Sequence, residues 1–149
     1  MTPALTVRLP SSCGRASRPP RGELRTARQA LLADGVRLLT MTGPPVAGKT
    51  SLALALRREL AEQLRHGARL VDLAPNHDPV QVVLAMVDAL GVAAMTGRRP
   101  LDCLIRAMGD RERLVVLDNF ELIVAAAPLI GDLLGACPSL RVVVTSRWR

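Results

Sequence analysis

"VRLLTMTGPPVAGKTSLALALRREL", residues 36–60, runs from a short apolar stretch through a Gly/Pro loop into a leucine-spaced helix. The loop ends in Gly48-Lys49-Thr50, and Lys49 is the chain's single lysine; the other nineteen of its twenty basic residues are arginine. Gly43, Gly48, Lys49 and Thr50 fill the pattern G-x-x-x-x-G-K-[ST]. Such a loop curls so that successive backbone N–H groups point inward at phosphate oxygens. Gly48 admits the backbone without a side chain in the way. The helix beginning near Lys49 presents its positive end to the same anion. A lysine offers a compact point charge there, which arginine's planar fork does not reproduce. Thr50 offers a hydroxyl to Mg²⁺. The competing reading is a plain turn between strand and helix. A chance match in a chain of this length is roughly 1 in 200, and the flanking strand and helix are the context the motif requires, so the phosphate loop is preferred.

Outward from the loop, strands and helices alternate. The first strand is expected at 36–41. Leu52, Leu56, Leu60 and Leu64 recur every fourth residue and predict a helix over 49–65, closed by Gly67. "ARLVDL" (68–73) reads as a strand and "APNH" (74–77) as a loop. Asp78, Pro79 and Gln81 read as the cap, first position and capping-box partner of a helix. Val83, Met86, Val87 and Leu90 are its expected inner side, and Gly91 its end. A helix follows at about 100–108, then the strand "RLVVLD" (113–118), a helix near 128–136 with Leu129, Ile130, Leu133 and Leu134 inward, and the strand "LRVVVTS" (140–146). Near-continuous apolar strands alternating with helices describe an α/β fold, a mostly parallel sheet covered on both faces. The phosphate loop makes it a three-layer P-loop NTPase sandwich.

Two further strand ends carry polar groups. Asp118 closes "RLVVLD", where a carboxylate holds Mg²⁺, usually through water. Asn119 follows it, in the place where many NTPases put a second acid. Glu121 is the nearest acid, and reads more simply as a solvated residue at a helix start. Thr145, Ser146 and Arg147 end the last strand and face the same crevice. Arg147 reads either as a γ-phosphate sensor or as a surface arginine. His66 and His77 read as exposed loop residues.

The chain has a net charge of +7, and 49% of its residues are apolar, enough for one domain with a sizeable core. Residues 1–30 hold six arginines and one acid, Glu23, so the basic excess belongs mainly to this arm. It is rich in Pro, Ser and Arg and reads as a partly disordered leader (1–30) ahead of the core (31–149), with a short helix at about 23–33. It has no aromatic residue for base stacking, which argues against nucleic acid as its partner. No apolar run reaches membrane-spanning length, and no secretory h-region is present. Cys13, Cys103 and Cys137 show neither metal spacing nor a disulfide framework, consistent with a reducing cytoplasm.

"LLTMTGPPVAGKTSLALAL", the "LAPNHDP" loop and "LVVLDNFELIVAAAPLIGDLLGACPSLRVVVTSR" together resemble the NB-ARC-type ATPase domain, in the version found in bacterial STAND-class transcriptional regulators of the LuxR and SARP types. The resemblance covers about residues 30–149. It implies that Gly43, Pro44, Pro45, Val46, Ala47, Gly48, Lys49, Thr50 and Ser51 form the Walker A loop, Asp118 the Walker B acid, and Arg147 the first sensor. It also implies ATP or ADP with Mg²⁺, a nucleotide-driven switch, self-association when active, and DNA contact only through other domains. Pro45, Val46 and Ala47 stand where the family usually has glycine. Proline lacks an N–H, so a lower phosphate affinity is expected. "CGRA" (13–16) keeps the glycine and arginine of the family's opening segment but lacks its acid. The family's last core strand and helical lid are not found, so the fold is expected to be incomplete at its C-terminal end, with an exposed sheet edge after the sensor strand. Slow or absent hydrolysis is expected from Asn119 and from the lid that is not found. The alternatives are a small-molecule kinase on the same loop, with Arg98 and Arg99 in a lid, or a non-functional fragment of a longer regulator.

Overall fold

A computed structural model describes residues 4–8, 21–33, 35–43, 48–73, 78–93, 95–120 and 126–147. In chain order the elements are β1 (Ala4–Arg8), α1 (Arg21–Leu32), β2 (Leu38–Gly43), α2 (Lys49–Gln63), β3 (Ala68–Asp72), α3 (Pro79–Ala89), α4 (Pro100–Met108), β4 (Arg113–Asp118), α5 (Ala127–Ala136) and β5 (Leu140–Arg147). The five strands form one sheet in the order β1-β2-β5-β4-β3, and all four pairings are parallel.

Alternation along the strands sorts their side chains to two faces. On one face Leu39, Met41, Leu114, Val116 and Val143 pack with Ala27 and Leu31 of α1 and with the leucine stripe of α2. Leu52, Leu56 and Leu60 are fully buried there, as their fourfold spacing requires. On the other face Val71, Val115, Leu117, Val142 and Val144 pack with residues of α3, α4 and α5. Burial on both sides explains why β4 and β5 read as unbroken apolar runs. Asp78 caps α3 as expected, its carboxylate accepting from the Gln81 N–H at 2.9 Å. Val82 joins Val83 and Met86 in the core, whereas Val87 and Leu90 are only half-buried. No described helix is long and apolar enough to cross a membrane.

The sheet differs from the sequence reading at its edges. "ALTVR" (4–8), placed in the basic leader, forms β1 and pairs with β2 from Ala4↔Leu38 to Arg8↔Thr42. Leu5 and Val7 pack toward the α1–α2 face. The predicted open edge beside β5 is not there: β5 lies between β2 and β4 and is paired on both sides. That expectation came from the family strand not found after β5; parallel crossovers carry the chain from β2 to the far edge and back, which sets β5 inside the sheet.

At the end of the sheet remote from the phosphate loop, three arginines hold backbone carbonyls where helices and strands meet. Arg37 donates from Nη2 to the carbonyls of Leu134 and Cys137 and from Nε to that of Leu140 at 3.3 Å. Arg141 Nε donates to the Leu31 carbonyl at 2.8 Å, and Arg113 Nε to that of His66 at 3.1 Å. Leu31, Leu134 and Cys137 lie at the C-terminal ends of α1 and α5, where a helix leaves carbonyls without an internal partner; Leu140 opens β5 and His66 lies in the turn after α2.

Candidate functional site

The helix after β2 lies on one face of the sheet and the helix after β4 on the other. Open α/β sheets bind ligands at the C-terminal ends of their strands, where connections to opposite faces part. The candidate residues converge there.

Gly43 is the last residue of β2. Pro44, Pro45, Val46 and Ala47, predicted to build the body of the loop, lie outside the described residues. Gly48 follows with φ 82° and ψ 23°, a left-handed conformation that favours glycine, and it forms the N-cap of α2. Gly48 has no side chain with which to cap this helix, and a helix start of this kind suits an anion. The Lys49 ammonium folds back to donate to the Gly43 carbonyl at 2.8 Å, and the residue is 9% exposed. A buried cation is thereby held at the mouth between the loop's two ends. Ser51 is half-buried in the first turn of α2.

Asp118 ends β4, 7% exposed. The Thr50 hydroxyl stands 3.3 Å from each of its carboxylate oxygens. That is longer than a good O–H···O bond. Two neighbouring oxygens on an octahedral cation at about 2.05 Å stand roughly 2.9 Å apart, so a small hard cation suits this pair. Among the described residues no group of three or more His, Cys, Asp or Glu could hold a metal. A hydroxyl and a carboxylate are hard oxygen donors of the kind Mg²⁺ takes, its shell being completed by phosphate and water.

The Asp118 carboxylate is fixed from the side by Thr145, whose hydroxyl donates to Oδ1 through a short hydrogen bond. Thr145 is 1% exposed and accepts in turn from the Asn119 backbone N–H at 3.0 Å. Asn119 has φ 67°, and its side-chain amide donates to Asp72 Oδ1 at 3.0 Å. One hydrogen-bonded chain thus runs from Asp118 through Thr145 and Asn119 to Asp72 at the sheet edge, with the Thr50 hydroxyl beside Asp118.

Parallel register pairs Arg147 with Gly43 and Ser146 with Thr42. The backbone of the predicted sensor therefore lies beside the loop's first glycine; its side chain and Glu121 lie outside the described residues. The sequence reading missed that Thr145 holds Asp118 and that Asn119 holds Asp72. A hydroxyl at the end of an apolar strand beside the metal strand is a usable signal for the first. The second depends on strand order.

No protein-family model matches the chain. A Mycobacterium tuberculosis protein named "putative HTH-type transcriptional regulator" is 43% identical over 120 residues, 80% of this chain and 13% of that protein. An "uncharacterized protein" of the same organism is 38% identical over 127 residues, 85% of this chain and 32% of that one. The chain thus spans about an eighth and a third of the length of these relatives. Among solved structures it superposes on the ORC2 protein of Aeropyrum pernix, determined in ADPNP–ADP complexes, with a TM-score of 0.66 and 19% identity over 87% of this chain and 41% of that one. The chain has this P-loop ATPase fold.

Proposed function

We propose that the chain is the nucleotide-binding core of a cytoplasmic transcriptional regulator, of the NB-ARC type found in STAND-class regulators of the LuxR and SARP kinds. It binds ATP or ADP with Mg²⁺ and acts as a switch, hydrolysing ATP slowly or not at all. The observation that carries this reading is the meeting of Thr50 with Asp118 across 68 residues of chain, with Thr50 next in sequence to the buried Lys49. A hydroxyl, a carboxylate and an ammonium at the start of an uncapped helix match what a magnesium-bound polyphosphate demands. The named relative supports the regulatory role, and the ORC2 likeness supports the fold on which it rests. Lys49 and the loop 43–51 take the phosphates, Thr50 and Asp118 hold the metal, and Arg147 senses the γ-phosphate. Bound Mg²⁺ neutralises phosphate charge and orients the chain of phosphates. DNA contact falls to domains other than this one, and self-association through this domain accompanies the ATP-bound form.

Titration of the chain with a fluorescent ATP analogue tests the reading. Removing Mg²⁺ is expected to weaken binding about tenfold, near 1.4 kcal/mol. In Thr50→Ala, affinities with and without Mg²⁺ should nearly coincide. Equal affinities with and without Mg²⁺ in the unaltered chain would remove the metal site, and absence of binding would remove the reading.

A further inference from the structure

Asn119 sits where an acid beside the metal carboxylate would stand, and it is tied in two directions. Its backbone N–H goes to Thr145 on β5 and its side-chain amide to Asp72 on β3. It is the only non-glycine residue at positive φ among the described residues. Asparagine tolerates that conformation better than most residues, but it still costs stability. The conformation directs the amide to Asp72.

Asp72 is the last residue of β3 and the register partner of Asp118. Adjacent strands lie about 4.8 Å apart, and registered residues of parallel strands share a face. Leu70, two residues before Asp72, packs on the α2 side with Leu114 and Val116 of β4, so Asp72 and Asp118 share that side as well. The two acids therefore end neighbouring strands at the C-terminal end of the sheet, with Asp72 also bordering the groove that β3 forms with α3. Asp118 is buried and held by hydroxyls from two elements; Asp72 is exposed and held by an amide. A buried, hydroxyl-fixed carboxylate suits a cation, and a water-accessible one of fixed orientation suits a proton acceptor.

We propose that Asp72 is the general base for ATP hydrolysis in this site and that Asn119 is its positioning residue; the inference rests on the reading that the loop holds ATP. The water oxygen forms its bond to the γ-phosphorus as the bond from that phosphorus to the β–γ bridging oxygen breaks. The bond's electron pair leaves with ADP. The water proton passes to the Asp72 carboxylate and from there to solvent, leaving ADP and inorganic phosphate. The acid missing from position 119 is thus supplied by the neighbouring strand, through the amide that took its place.

The test measures phosphate release by the full chain, with fluorescent-ADP affinity and melting temperature measured alongside. Asp72→Asn keeps the shape and still accepts the Asn119 hydrogen bond, so a merely structural role predicts unchanged turnover. We expect kcat to fall about a hundredfold, with KM, ADP affinity and melting temperature near those of the unaltered chain. Asn119→Ala should lower kcat about tenfold, again at constant KM. Turnover of Asp72→Asn within about threefold of the unaltered chain, or no turnover in a chain that binds ADP, would overturn the assignment while leaving the nucleotide site standing. A chain that binds no ADP would overturn both, and the affinity measurement separates the two failures.

Discussion

Lys49→Ala is expected to weaken ATP binding about a hundredfold or more. The side chain is buried at the mouth of the loop, with its ammonium 2.8 Å from the Gly43 carbonyl. Phosphate oxygens entering the loop meet that charge in a partly desolvated place, where each charge-assisted hydrogen bond contributes about 1.5–3 kcal/mol. Two such bonds amount to roughly 3–6 kcal/mol, a factor of about a hundred to about ten thousand. Lys49→Arg should not rescue it. The guanidinium is larger and planar, and the return to Gly43 leaves room for a compact group. Alanine also removes a buried charge, so the variant should melt no lower than the unaltered chain. Calorimetric titration with ATP, beside a thermal melt, checks both halves. Affinity within about threefold of the unaltered chain would show that the ammonium does not face the ligand.

The second large effect concerns the opposite end of the sheet. Arg37→Ala removes three donors at once from the carbonyls of Leu134, Cys137 and Leu140, at the junction between α5 and β5. Hydrogen bonds from charged donors contribute about 1.5–3 kcal/mol each. These carbonyls are only part-buried, and water recovers some of the loss, so a total of about 2–4 kcal/mol is expected. For a domain of this size that lowers Tm by about 10 °C. Arg37→Lys keeps the charge but not the fork, and should recover less than half. Because the Arg37 contacts lie remote from the phosphate loop, ATP affinity below Tm should be unchanged. A Tm within about 2 °C of the unaltered chain would mean that solvent replaces the arginine fully.

The contrast between these two residues shows what the sequence makes legible. Lys49 stands out because its chemistry is local. The motif, the preceding strand and the following helix all lie within 36–60, and α2 repeats its leucines at the spacing its buried face demands. The Asp78 cap is readable for the same reason, its acceptor and donor being three residues apart. Arg37 is one of nineteen arginines, and its partners lie about a hundred residues away. Asn119 reads in the sequence only as an absent acid. Its bond to Asp72 exists because β3 lies next to β4, and strand order is not written in any local pattern. β1 was hidden differently: Leu5 and Val7 alternate with Ala4, Thr6 and Arg8, but the surrounding arginines, prolines and serines give the segment the composition of a leader. Five residues of alternation weigh little against that composition, and pairing with β2 decides the outcome.

The central claim is that residues 43–51 and Asp118 form one site for a magnesium-bound polyphosphate. A crystal structure of the chain grown with ADP and Mg²⁺ tests this most directly. The account predicts the β-phosphate within hydrogen-bonding distance of Lys49 Nζ, and Mg²⁺ against Thr50 Oγ1 on the side facing Asp118. ADP seated elsewhere, for example in the groove of about 550 Å³ that β3 and α3 form beside Leu70 and Leu84, or no ADP at all, would contradict it.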